Sequence, residues 1–240
     1  NNGIYPEFNA KDNDFFFISK TSQEDILKSI VILCAERLPA YGTFDPVRDI
    51  QVITPVRKGP LGVITLNKEL QEALNPHCRG KTEKAAGPYV FRVGDKVMQV
   101  RNNYNLEWEK ASDSSEKGIG VFNGETGRIV LIDTLEKALF VLIDDEKLVR
   151  YEFGMLDELQ LAYAVTVHKS QGSEFPVMVM PIYPGPPMLM TRNLLYTAMT
   201  RAKKLAVLVG REDTLRLMVD NNRIDVRYSG LCSRLRHAYL

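Results

Sequence analysis

Two stretches of this 240-residue chain carry side chains whose types and spacing suit phosphate chemistry. The first is Thr166-Val167-His168-Lys169-Ser170-Gln171-Gly172-Ser173-Glu174-Phe175. In it Thr166, His168, Lys169 and Ser170 offer donors suited to phosphate oxygens. Gly172 permits close backbone approach to a ligand, and the Glu174 carboxylate can accept from sugar hydroxyls. The second is Leu194-Leu195-Tyr196-Thr197-Ala198-Met199-Thr200-Arg201-Ala202-Lys203-Lys204, and the run from Arg192 to Lys204 holds four basic residues and no acid. A guanidinium such as that of Arg201 is always charged and planar, which is what stabilises a transferring phosphoryl group from outside the main phosphate site. The plainer alternatives are a polar turn with a solvated lysine, and an arginine that neutralises a helix C-terminus.

These side chains need elements to hold them. Leu161-Ala162-Tyr163-Ala164-Val165-Thr166-Val167 is nearly continuous apolar sequence, as in a strand covered on both faces, and open parallel sheets bind ligands beyond the carboxyl ends of their strands. Alternation puts Thr166 and His168 on one face. Val177 to Ile182 reads as another strand, Asn193 to Lys204 as a helix with Arg201 late in it, and Leu205 to Gly210 as a closing strand. Upstream, Phe15 to Ile18 is a short strand, and Thr21 and Ser22, each with an acid three residues on, mark a helix start. Ile26, Ile30, Leu33 and Cys34 keep helical spacing until Pro39, which is expected to stop the helix. Ile50 to Ile53 is a further strand, and Leu66, Leu70 and Leu74 stack along one helix face.

Between these α/β segments the texture changes. Arg92 to Val100, Gly127 to Ile132 and Leu139 to Ile143 alternate with period two, with turn signals at Asn123-Gly124 and Asp144-Asp145 and no helical period. The pattern predicts an α/β fold, a parallel-sheet layer over 1–90 and 156–240 interrupted by a small β unit over 91–155. The charged, Ser-rich stretch from Leu106 to Gly120 predicts a mobile hairpin.

With 45% hydrophobic and 25% charged residues the chain is not a disordered one. A net charge of +1 excludes a histone-like protein recognisable from bulk charge. From Arg92 to Glu152 nine Lys/Arg face twelve Asp/Glu, so the basic residues of the flanking layer are expected to gather near one ligand-facing edge. No apolar run approaches the ~18–20 residues of a membrane helix, and Asn1-Asn2-Gly3 lacks the regions of a signal peptide, so a cytoplasmic location is expected. Cys34, Cys78 and Cys232 form no CxxC pair, and no disulfide framework or metal site is predicted. Gly80-Lys81-Thr82 ends a near match to GxxxxGK[ST], but Asn75 stands in place of the first glycine and the preceding segment is helical, whereas a phosphate loop follows a strand. Nothing else supplies a Walker A loop or a Walker B carboxylate, and no GxGxxG follows a strand, which argues against a metabolic nucleotide-binding enzyme.

Together, TVHKSQGSEFP and LLYTAMTRAKK resemble motifs V and VI of superfamily 1 helicases, and their wording is similar to the RecD-like branch, the exodeoxyribonuclease V alpha subunits and their relatives. The segments from Thr54 to Gly62, from Val93 to Gln99 with Asn102-Asn103-Tyr104, and from Val121 to Gly127 are similar to that family too. The resemblance implies a second RecA-like motor domain with an inserted SH3-like β-barrel, preceded before Asn1 by a first motor domain that carries the Walker residues. It implies that Arg201 is an arginine finger reaching a γ-phosphate, that Gln171, Gly172 and Glu174 lie near the nucleotide, and that Thr166, His168 and Lys169, with Arg57 and Lys58, lie near the DNA backbone. ATP and Mg2+ would serve the full-length protein and not this chain alone; single-stranded DNA would be its partner, with subunits of a nuclease-helicase complex as further ones. The family's polarity is 5′ to 3′. A UvrD-like 3′-to-5′ motor and a non-catalytic nucleic-acid-binding module remain open at this point.

Overall fold

The computed structural model describes residues 14–223 and begins with β1 (Phe15–Ser19) and α1 (Gln23–Ile32). Ser22 caps α1: its Oγ accepts from the Asp25 backbone N–H at 3.0 Å, and Glu24 and Asp25 lie in the first turn, where acids suit the positive end of the dipole. Pro39 does not stop the helix. A π turn over Leu33–Arg37, in which the Leu38 N–H reaches the Leu33 carbonyl, shifts the ladder by one residue. The next helix, α2 (Leu38–Gly42), then opens with Pro39 in its first turn, where a missing N–H leaves nothing unpaired. Next come β2 (Ile50–Thr54) and α3 (Val63–Leu74), whose Leu66 and Leu70 are buried.

The middle of the chain is antiparallel. A separate hairpin, β3 (Glu83–Ala86) with β4 (Tyr89–Arg92), precedes β5 (Lys96–Gln99), β6 (Asn103–Lys110), β7 (Asp113–Val121), β8 (Thr126–Asp133), β9 (Ala138–Ile143) and β10 (Lys147–Glu152). A 3-10 turn, Phe153–Glu158, leads to β11 (Leu159–Leu161), which lies past the boundary expected at 155 and still pairs with β5. The seven strands run β11-β5-β8-β9-β10-β6-β7, and no ladder joins the β11 and β7 edges, so the SH3-like unit is not a closed barrel in its hydrogen bonding. Asp144 and Asp145 both take left-handed backbone (φ 51° and 58°) in the turn between β9 and β10. The stretch from Leu106 to Gly120 forms a hairpin, as expected, with β6 and β7 paired antiparallel along it. Lys110 pairs with Glu116 at 2.6 Å, Lys117 with Glu109 at 2.5 Å, and the Trp108 ring covers Gly118, where a Cβ would stand 2.2 Å from Cζ2. Side-chain charge is here spent on cross-strand pairs.

The remaining elements are β12 (Ala164–Thr166), β13 (Phe175–Ile182), α4 (Arg192–Met199), β14 (Ala202–Gly210) and α5 (Glu212–Asp220). They complete an all-parallel sheet of order β1-β14-β13-β2-β12, drawn from both sides of the antiparallel unit. The apolar run from Leu161 to Val167 is therefore not one strand. It is the end of β11 in one sheet and all of β12 in the other, and both are buried, so hydrophobicity alone does not mark the break. Tyr163 sits at that break: its carbonyl accepts from Val52 N–H at 3.2 Å and its hydroxyl donates to Asp95 Oδ1 at 2.9 Å. Asp95 also accepts from Gln71 (2.6 Å), Asn75 (2.7 Å) and the Arg92 N–H (2.7 Å), which ties α3 to the antiparallel unit through one buried carboxylate. Burial pushes that carboxyl above its ordinary range, and the four donors oppose the shift.

Cys34 is buried, which pushes its thiol up to about 12, and Cys78 is exposed; Cys232 lies outside the described residues. No helix among the described residues is long and apolar enough to cross a membrane.

Candidate functional site

The parallel registers decide where each candidate side chain lies. Ala164 and Val179 are both level with Val52 of β2, so Thr166 is at the carboxyl edge of the sheet and Phe175 at the amino edge. The two are six residues apart along the strand axis, roughly 20 Å at about 3.3 Å per residue. The link from Val167 to Glu174 therefore crosses the sheet. This corrects the expectation that the basic residues share one ligand-facing edge, and the reason is topological: a parallel strand returning on the far side of β2 must start again at the opposite edge.

At the carboxyl edge the loops after β2 and β12 are neighbours, because Thr54 pairs with Thr166. The first loop is built tightly. Thr54 Oγ1 donates to the Leu61 carbonyl at 2.7 Å, and Gly62 caps α3 so closely that a Cβ there would lie 2.6 Å from the Lys58 carbonyl carbon. That closeness leaves Arg57 and Lys58 on an exposed turn. In the second loop Thr166 Oγ1 accepts from the Lys169 N–H at 3.3 Å, while the buried Ser170 donates to the Val167 carbonyl at 2.8 Å. His168 is exposed and Lys169 half-buried. Burial first, and the Arg57 guanidinium second, push the Lys169 ammonium below its ordinary value. Among the described residues neither cation has a carboxylate partner, so an anion between them would relieve both costs. Ser170, in contrast, already uses its hydroxyl within the turn.

At the amino edge are Ser173, Glu174 and Arg201. The helix α4, capped by Thr191, ends at Met199, so Arg201 is not late in a helix but in the turn before β14. Its Nε donates to the Thr197 carbonyl at 3.3 Å, Nη1 to the Ser173 carbonyl at 3.1 Å and Nη2 to Thr200 Oγ1 at 3.3 Å. The Thr197 contact is the helix-terminus role that a plain reading assigns. Yet all three acceptors are neutral, no carboxylate among the described residues pairs with Arg201, and two of the five guanidinium N–H groups remain unassigned. The charge is positioned and not neutralised, which suits a phosphate. Glu174 instead pairs with Lys203 at 3.3 Å, with both side chains more than half exposed, a weak surface pair that a ligand can displace. Gln171 and Gly172 are exposed between the two edges; Gly172 has φ 88° and open space where a Cβ would be.

Residue types gave no signal for Ser173, which acts through its carbonyl, nor for Thr197 and Thr200. The decoy around Gly80-Lys81-Thr82 follows α3 and not a strand, and Lys81 Nζ is bound to Asn75 Oδ1 (2.5 Å) and the Pro76 carbonyl (3.0 Å). Among the described residues no group of three or more His, Cys, Asp or Glu side chains could hold a metal ion.

Comparison with known proteins gives the family. Residues 66–142 match the family described as ATP-dependent RecD-like DNA helicase SH3 domain, and residues 161–209 match the UvrD-like helicase C-terminal domain. The "ATP-dependent RecD2 DNA helicase" of Deinococcus radiodurans is 34% identical over 187 residues, 78% of this chain and 23% of its own length. The "RecBCD enzyme subunit RecD" of Mycolicibacterium smegmatis is 30% identical over 214 residues, 88% of this chain and 33% of its own length. Among solved structures, Pif1 helicase from Bacteroides in complex with ADP-AlF3 and ssDNA aligns at 17% identity with a TM-score of 0.46, over 92% of this chain and 54% of that one. The chain thus spans a third or less of the two curated relatives. On these two family matches and relatives 30% or more identical, the chain belongs to the RecD-like family of superfamily 1 DNA helicases.

Proposed function

We propose that this chain is the second motor domain of an ATP-dependent DNA helicase that moves 5′ to 3′ on single-stranded DNA in the cytoplasm, with the inserted unit running from about 91 through β11 and the motor on either side of it. The observation that carries the reading is Arg201: a half-exposed guanidinium held by three neutral acceptors, with two N–H groups unassigned and no counter-ion among the described residues. Such a fork, offered to a nucleotide gripped by a partner motor domain, stabilises the charge that develops on a transferring phosphoryl group. The nucleotide would also meet Gln171, Gly172 and Glu174, with Glu174 freed from Lys203 when a ligand arrives.

The strand grip is at the other edge, where Arg57, Lys58, Thr166, His168 and Lys169 offer donors to backbone phosphates. One hydrogen-bonded sheet spans the two edges, so a tilt of the sheet as Arg201 engages moves the grip along the strand. The chain itself offers no phosphate loop, so the phosphate-gripping residues and the Mg2+ site belong to the partner domain, and the isolated chain turns over no ATP. Relatives named as RecBCD subunits support a nuclease-helicase complex as a further partner. The test is strand displacement by the full-length protein on duplexes with one single-stranded tail. Unwinding from a 5′ tail only is expected; unwinding from a 3′ tail only would assign the motor to the opposite polarity, and ATP turnover unaffected by Arg201→Ala would remove the finger.

A further inference from the structure

We infer that the cleft between the β3–β4 hairpin and the Phe153–Glu158 turn is a pocket for a single nucleobase of the bound strand, with Gln160 bonding its edge and Arg57 and Lys84 holding its flanking phosphates. This rests on the reading that the strand passes Arg57.

The cleft measures about 460 Å3 and joins the parallel layer to the inserted unit. Its walls carry two aromatic rings, Tyr89 and Phe153, both half-buried. At the same cleft are Arg57 and Lys84, and Lys84 Nζ lies 4.3 Å from the Phe153 ring centre. Neither cation pairs with a carboxylate among the described residues. The acid that lines the cleft, Asp157, is already held by Arg101 at 2.7 Å. The cleft therefore presents net positive charge beside apolar walls.

Gln160 supplies the polar group of the cleft. It is only 8% exposed and lines the cleft, and its side-chain amide has no hydrogen-bond partner among the described residues. The amide atoms are open to the cleft, since Gln51 Oε1 is the one buried side-chain polar atom left unpaired among the described residues, and they offer both a donor and an acceptor to whatever enters. Few ligands match a π face for two rings, an edge with donors and acceptors for an amide, and phosphates for two cations. A nucleotide does. Because an amide complements the edge of any base, the pocket would grip a strand without demanding a sequence. Arg57 also depresses the ammonium of Lys169, so the pocket is continuous with the cations at the carboxyl edge of β12.

The test compares, for the full-length protein, affinity for an oligothymidylate and for an abasic strand of the same length. The wild type is expected to bind the base-bearing strand about tenfold more tightly, the scale of one stacked base. Gln160→Leu and Phe153→Leu should shrink that ratio towards one while abasic-strand binding persists, and a 5-iododeoxyuridine strand should photo-crosslink to Tyr89 or Phe153 in the unmutated protein. Equal wild-type affinity for the two strands, an unchanged ratio in Gln160→Leu, or crosslinks only elsewhere overturns the pocket and leaves strand binding standing. Failure to bind either strand overturns both. The crosslink needs no variant, so a misfolded substitution cannot hide the answer.

Discussion

The Arg201 guanidinium donates through Nη1 to the Ser173 carbonyl oxygen at 3.1 Å, and the Phe175 N–H returns a bond to the Arg201 carbonyl at 2.8 Å. This reciprocal pair fastens the turn after α4 to the far end of the link from β12. The near end of that link, at Thr166, faces Arg57 and Lys58 across the neighbouring loop. One eight-residue segment, 167–174, thus joins both candidate sites by continuous backbone.

Replacing Arg201 separates its two duties. In the full-length protein Arg201→Ala should retain nucleotide binding and lose ATP turnover by ~10³–10⁵, the range attributed to arginine fingers. Arg201→Lys should recover little, because a single ammonium cannot serve Thr197, Ser173 and a phosphate together. Steady-state hydrolysis with saturating single-stranded DNA measures this, and turnover within a few-fold of the unmutated protein in either variant would contradict it.

The cations at the carboxyl edge make a prediction about salt. Each phosphate neutralised on a single strand contributes about 0.7 to the slope of log affinity against log salt. Lys169→Ala should therefore flatten that slope by roughly this amount, and Thr166→Ala with His168→Ala should weaken binding mainly at low salt. Titrations of the full-length protein at several salt concentrations read both. An unchanged slope in Lys169→Ala would place the phosphates elsewhere.

Gly62 sets the shape of the loop that carries Arg57 and Lys58. A Cβ there would stand 2.6 Å from the Lys58 carbonyl carbon, 2.7 Å from its oxygen and 2.8 Å from the Arg57 carbonyl carbon, all backbone atoms with nowhere cheap to go. Gly62→Ala should cost about 1–3 kcal/mol in denaturant unfolding, the scale of overpacking, and weaken strand binding as the loop shifts. Gly172→Ala meets open space and should cost only the ~1–2 kcal/mol of a left-handed backbone. Equal and negligible losses in the two variants would mean that the loop after β2 adapts freely.

Much of this was legible from residue order because it depends on local chemistry. Ser22 with Asp25 announces a cap, the alternation in Leu139 to Ile143 announces a strand, and each of the two motifs lies beside the end of a strand. What residue order hides is where buried strands end. Leu161 and Val165 look alike although they belong to different sheets, since each is covered on both sides. The crossing of 167–174 from one edge to the other follows from strand order, which no short segment encodes. Pro39 misleads because its effect depends on the π turn before it. Gln160 looks like any polar residue in a strand, and only its burial beside two rings makes it notable.

The last prediction concerns a charge buried where the two sheets meet. Lys96, on β5, is 6% exposed; its Nζ donates to the Ile50 carbonyl at 3.3 Å and lies 5.7 Å from the Phe175 ring centre. Burial pushes its ammonium down to about 8, with Cys34, Asp45 and Asp49 resisting. The folded value is below the unfolded one, so between about 8 and 10.5 the unfolded chain binds the extra proton, and stability contributed by this group rises with pH over that window. Below 8 the folded protein bears the full penalty of a buried cation. Lys96→Met removes the titration while keeping most of the volume. The stability of the unmutated chain minus that of Lys96→Met should therefore climb from pH 8 to 10, by at most roughly 2–3 kcal/mol, as measured by urea unfolding at each pH. Taking the difference cancels the tyrosines and other lysines that titrate in the same range. A difference that stays flat or falls with pH would show that Lys96 keeps its solvent-like affinity for the proton, and with it that water reaches the junction between β5 and β2.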